Sequence, residues 1–104
     1  MNQEHNFNER CYALLNKIPR GKVTTYKEMA NALGTKAWRA VGTAMAKNTN
    51  LVHTPCHRVV RSDGTIGQYV LGADKKSELL SSEGVEISNN KIKNLDKYLF
   101  QFDS

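Results

Sequence analysis

TYKEMANALGTKAWRAVGTAMAK, running from Thr25 to Lys47, decides the fold. Thr25 is a good N-cap, and Glu28 stands three residues later in the capping-box position. Tyr26, Met29, Ala30 and Leu33 then recur at helical spacing, and Gly34 supplies the stop. Thr35 is placed to cap a second helix. In that helix Trp38, Val41 and Met45, joined by Ala37 and Ala44, form an apolar side, while Lys36, Arg39, Thr43 and Lys47 fall on or near the other. Two short helices joined across Leu33-Gly34-Thr35 read as a helix-turn-helix. The small residues Ala40, Gly42 and Ala46 let the second helix approach a groove floor while the cations meet phosphate. An ordinary helical hairpin with a solvated face satisfies the same pattern.

Upstream, Phe7, Cys11, Leu14, Leu15 and Ile18 make one helical stripe, with Asn6 and Glu9 as a capping box and Pro19 and Gly21 as its end. Val23-Thr24 is short and extended. Downstream, residues 48–55 form a loop, Arg58-Val59-Val60 a short strand and Ser62-Asp63-Gly64-Thr65 a turn. Asp74 is expected to cap a helix running through Leu79, Leu80 and Glu83 to Gly84. Val85-Glu86-Ile87 alternates like a strand, and Asn89-Asn90 breaks it. Ile92, Leu95 and Leu99 fit a short helix or a docked tail. The expectation is one domain, residues 1–104: mainly α with short strands, a winged helix-turn-helix-like DNA-binding domain.

Charge is unevenly placed. The chain carries net +5, but residues 10–61 hold ten bases against the single acid Glu28, while residues 62–104 hold five bases and seven acids. A basic block beside a slightly acidic one suits a polyanion on one face, and equally an ordinary solvated surface. No stretch approaches the about 18 apolar residues of a membrane span, the first residues lack the order of a signal peptide, and two cysteines cannot make a disulfide scaffold. The chain is therefore expected to be soluble, intracellular (cytoplasmic) and free of membranes.

Pro55 sets a rigid extended approach to Cys56-His57. A thiol must ionise to attack, and a neighbouring imidazole assists that. Adjacent strand residues point to opposite sides, so Cys56 and His57 cooperate only if the backbone turns there; a buried structural cysteine is the other explanation. Glu83 falls in the last turn of a helix, where the dipole disfavours its charge and a cation, such as a histidine, would compensate. A Cys, His and Glu relay would supply nucleophile, base and orienter. Cys11 sits in an apolar stripe and reads as core. His53, Cys56 and His57, even with His5, match no common zinc spacing, so no metal and no cofactor are expected.

Pro55-Cys56-His57-Arg58-Val59-Val60 resembles the active-site signature of the O6-alkylguanine-DNA alkyltransferases. Ile18 to Tyr26 resembles the segment leading into that family's first DNA-binding helix. Arg39-Ala40-Val41-Gly42, Ala44-Met45 and Asn48 resemble its recognition helix and the asparagine beyond it. Gly64, Gly67, Tyr69, Lys76, Leu79-Leu80 and Glu83-Gly84 follow at the family's spacing. The resemblance runs from about Phe7 to Ile87.

The resemblance implies a DNA repair protein that flips O6-alkylguanine out of double-stranded DNA and moves the alkyl group irreversibly to its own cysteine, once per chain. It implies Cys56 as acceptor, His57 as the base acting through a water, Glu83 as the group orienting the imidazole, and Asn48 as the brace of the active-site turn. Tyr26 would turn the target phosphate and donate to the base, Arg39 would fill the vacated stack, and the Val59 carbonyl would read the guanine edge. Lys36, Ala40, Gly42 and Thr43 would face DNA, and Tyr69 and Val70 would close over the base. Extrusion costs a few kcal/mol, which a planar guanidinium wedge partly offsets.

Three departures accompany it: the family's usual N-terminal domain is expected to be absent, Val70-Leu71 stand where the family has small residues, and the turn before Arg39 is one residue shorter. A monomer is expected. The alternative functions are a lesion-binding protein of the alkyltransferase-like group, which lacks the acceptor cysteine, a plain helix-turn-helix regulator, and a thiol hydrolase. The regulator leaves Cys56-His57 unexplained, and the hydrolase leaves the basic helix unexplained.

Overall fold

The computed structural model describes residues 7–49 and 53–102. Five helices and two small sheets follow in order: α1 (Phe7–Leu15), β1 (Thr24–Thr25), α2 (Tyr26–Ala32), α3 (Trp38–Ala46), a 3₁₀ turn at Cys56–Arg58, β2 (Val59–Val60), α4 (Ala73–Ser82), β3 (Ile87–Ser88), β4 (Lys91–Ile92) and α5 (Leu95–Tyr98). The architecture is mainly helical with short strands, as the sequence implies.

α2 begins as expected, with Thr25 Oγ1 accepting the Glu28 N–H at 3.0 Å. It ends at Gly34, whose φ of 74° lies in the region glycine adopts without penalty. α1, α2 and α3 pack around Cys11, Leu15, Ile18, Met29, Ala30, Val41, Ala44 and Met45. β1 and β2 pair in parallel, Thr24 opposite Val59 and Thr25 opposite Val60. The pleat of β2 sends Val59 into this first core and Val60 into a second, formed with Val23, Ile66, Leu80, Val85, Ile92 and Tyr98. β2 thus ties the helix-turn-helix to the C-terminal half.

Several local expectations are corrected. The stripe of α1 extends to Ile18, but the helix stops at Leu15 and tighter bonds from Lys17 to Leu14 and Ile18 to Leu15 carry Ile18 into the core. The Asn6 part of its cap lies outside the described residues. Ala37, not Thr35, precedes α3; Thr35 Oγ1 instead accepts the Ala37 N–H at 3.1 Å, bracing the turn. Trp38, expected on the apolar side with Val41 and Met45, is 50 % exposed: in the first turn of α3 it falls outside the core cluster and lines surface hollows with Tyr26 instead. Arg58 belongs to the 3₁₀ turn, not the strand. Gly72 precedes α4, placing Asp74 inside its first turn. The last hairpin pairs Ile87–Ser88 with Lys91–Ile92, so Asn89 and Asn90 are its two-residue turn rather than a break. Their φ values of 54° and 61° are the left-handed pair that a type I′ turn needs. Beyond α5 the chain is a docked tail, with the Phe100 N–H donating to the Val23 carbonyl at 2.7 Å. Among the described residues no helix is long and apolar enough to cross a membrane.

Candidate active site

A 3₁₀ turn, not a strand, carries Cys56 and His57. The Arg58 N–H donates to the Pro55 carbonyl at 3.0 Å, so the backbone curls where Cys56 and His57 sit. Cys56 is buried yet lines a hollow of about 580 Å³, whereas His57 is wholly enclosed and does not line it. Behind the turn His57 Nε2 lies 2.9 Å from Glu83 Oε2. The buried Asn48 donates Nδ2 to the Thr54 carbonyl at 2.8 Å, fixing the approach to the turn.

Glu83 is held from two sides. Arg58 donates Nε to Oε1 and Nη2 to Oε2, both at 2.9 Å, and its Nη1 donates to the Ile18 carbonyl at 2.7 Å. Burial pushes the Glu83 carboxyl up, but the hydrogen bonds from Arg58 and His57 outweigh it and leave it below its ordinary value. A carboxylate ionised at neutral pH only accepts, so the proton of His57 belongs on Nε2. Burial lowers the His57 pKa despite Glu83, which keeps the ring neutral. Its Nδ1 is then a free lone pair, and that atom is buried with no hydrogen-bond partner among the described residues. Burial raises the Cys56 thiol, against opposition from the Asn48 hydrogen bond and the Lys76 charge. A thiol held protonated beside a neutral imidazole requires a base to become a nucleophile.

The hollow gathers many of the expected residues from separate elements: Tyr26 from α2, Arg39, Gly42 and Thr43 from α3, Cys56 from the turn, and Tyr69 and Val70 from the loop before α4. Arg39 is exposed, with its guanidinium 5.2 Å from the Trp38 ring centroid. Tyr69 presents its ring edge-on to His57, centroids 6.4 Å apart. Asn48, His57 and Glu83 stand behind the wall. Val59 is fully buried in β2, and Lys36 and Ala40 lie outside the hollow. Val70 lines the hollow at 48 % exposure, but Leu71, 54 % exposed, does not, so bulk at Leu71 does not narrow it.

Two residues escaped sequence reasoning as parts of the site. Arg58 is the cation that the placement of Glu83 demanded, where the sequence suggested a histidine. Lys76 is fully buried on α4, donating Nζ to the Gln68 carbonyl at 3.0 Å and to the Tyr26 hydroxyl at 3.5 Å. Burial lowers its pKa to about 7, partly opposed by Cys56 and reinforced by Arg61. Its signal was present: it stands four residues before Leu80, the other buried residue of α4.

Residues 6–85 match the family described as 6-O-methylguanine DNA methyltransferase, DNA binding domain. A bifunctional methyltransferase/endonuclease of Picrophilus torridus is 46% identical over 95 residues, covering 89% of this chain and 32% of that protein. The methylated-DNA–protein-cysteine methyltransferase of Saccharolobus solfataricus is 54% identical over 71 residues, 68% of this chain and 46% of that one. The chain therefore spans less than half of either relative's length. Among solved structures, S. pombe Atl1 in complex with damaged DNA containing O6-carboxymethylguanine superposes with a TM-score of 0.81 at 36% identity, covering 91% of this chain and 94% of that one. The O6-methylguanine-DNA methyltransferase of Pyrococcus kodakaraensis gives a TM-score of 0.72 at 45% identity, covering 78% of this chain and 47% of that one.

Proposed function

Since the chain belongs to the 6-O-methylguanine DNA methyltransferase family, we propose that it repairs O6-alkylguanine in double-stranded DNA by taking the alkyl group onto Cys56, once per chain. The observation that carries the reading is the ordered relay behind one wall of the hollow: Cys56 on the wall, and His57 held through Nε2 by an ionised Glu83, with the Nδ1 lone pair unspent.

Arg39 enters the duplex and replaces the stacking of the extruded guanine, which occupies the hollow beneath Tyr69 and Val70. Lys36, Ala40, Gly42 and Thr43 present α3 to the groove. The thiol proton of Cys56 passes through a water to His57 Nδ1. The sulfur attacks the alkyl carbon, the bond from that carbon to O6 breaks, and the electron pair goes to the guanine, which takes a proton from Tyr26. The products are guanine and a thioether. No group described around Cys56 reverses a thioether, so the chain acts once.

A second reading, lesion binding with little or no transfer, is favoured by one observation: Val70 lines the hollow with no side-chain hydroxyl for the guanine oxygen. Intact mass after incubation with an O6-methylguanine duplex separates the two. One added methyl per chain, lost in Cys56→Ala while DNA binding persists, supports transfer. Binding with no change in mass supports the second reading, and methylation that persists in Cys56→Ala removes Cys56 from the role.

A further inference from the structure

Trp38 is the single tryptophan of the chain and stands half in solvent. A lone exposed apolar residue needs no explanation, but its surroundings do. It forms part of the wall between the hollow beside Cys56 and a second hollow of about 590 Å³. Trp38, Tyr26 and Arg61 line both. The second has an apolar side of Trp38, Tyr26 and Ala30 and three cations, Lys27, Lys36 and Arg61, with no carboxylate among the described residues that line it. An aromatic face rimmed by cations alone fits a nucleotide, whose base stacks while its phosphates meet the charges.

From this we infer that the second hollow holds the base next to the extruded guanine in the same strand, stacked on Trp38. The inference rests on the DNA reading above. The strand is assigned by the shared wall: a base in each hollow places their linking phosphate at Arg61, among the described residues the one cation other than Arg39 that lines the first hollow and the only one common to both. Arg39 contributes from the same corner. Its guanidinium lies over the indole in the free protein, and on entering the duplex it exchanges that contact for the bases, leaving the indole to its own partner. Two aromatic-to-base contacts would then hold the opened step, one in each hollow.

The test uses the full chain and a duplex with one O6-methylguanine. 5-Iodouracil next to the lesion in the same strand should photocrosslink to the peptide carrying Trp38, and 5-iodouracil opposite the lesion or several steps away should not. Trp38 emission should be quenched by the lesion duplex and far less by an undamaged one. Trp38→Ala should weaken lesion binding about tenfold, the range of one base–aromatic stack, and Trp38→Phe should restore most of it. The loss should persist in an Arg39→Ala background, because it does not act through that arginine. Crosslinking from the opposite strand, unquenched emission on a bound duplex, or a Trp38→Ala loss that vanishes without Arg39 would each overturn the inference while leaving the DNA reading intact. Absence of any salt-sensitive binding to labelled duplex would sink the DNA reading itself, and this inference with it.

Discussion

Replacing Arg58 with lysine keeps the charge and removes the fork. Arg58 makes three hydrogen bonds, two to Glu83 at 2.9 Å and one to the Ile18 carbonyl at 2.7 Å, with its side chain 14% and that of Glu83 5% exposed. An ammonium is a point donor and satisfies one of these positions well. Two bonds to or from charged groups are then lost, each worth about 1.5–3 kcal/mol, and the surviving attraction returns part of that. The expected net loss is about 2–3 kcal/mol, or roughly 10–20 °C in Tm for a domain of this size. The linkage runs further. Glu83 orients His57, so a loosened carboxylate should also slow transfer, and thiol alkylation of Cys56 by iodoacetamide should fall with it. Thermal unfolding by circular dichroism, with single-turnover transfer measured well below the new midpoint, checks both. A Tm within about 2 °C of wild type together with an unchanged rate would refute the fork as the clamp on Glu83.

Lys76 gives a pH signature. Its folded pKa, about 7, lies below the ordinary lysine value of 10.5, so between those two values the unfolded chain binds more protons and stability should rise with pH. Lys76→Met should flatten that rise in denaturant titrations at pH 7 to 10; an identical slope in the variant would move the effect to another group. Arg39→Ala should slow repair of a lesion in duplex DNA far more than reaction with the free O6-alkylguanine base, since only the duplex leaves a gap to fill, and equal slowing would make Arg39 a phosphate contact. Val70→Ser should quicken methyl transfer by up to about tenfold, the worth of one neutral hydrogen bond, whereas Leu71→Gly should change it little, because Leu71 does not line the hollow. The second-order rates of the two variants on one methylated duplex decide between the positions.

Local signals were enough for much of this protein. Thr25 and Gly34 bound α2 because a cap and a left-handed stop depend on the residue itself and its near neighbours. The stripes of α1 and α2 and the Asp63-Gly64 turn rest on the same short-range physics, and the Pro55 to Val60 signature with its flanking blocks was specific enough to indicate the family. What the sequence left undecided lay between distant residues. That Cys56 and His57 lie on a 3₁₀ turn rather than a strand is a curl no dipeptide propensity announces. That Arg58 rather than a histidine alone answers Glu83 required α4 to end against the turn, 25 residues away along the chain. Trp38 read as core because helical spacing counts faces but not what covers them; in the first turn of α3 it falls outside the core cluster, and its indole stays half in solvent between two hollows. Lys76 stood in an apolar stripe for the converse reason: its burial is tolerable only because the Gln68 carbonyl and the Tyr26 hydroxyl, brought in by the loop and by α2, receive its ammonium. Spacing along the chain determines which face a side chain shares; only the packed structure determines what that face meets.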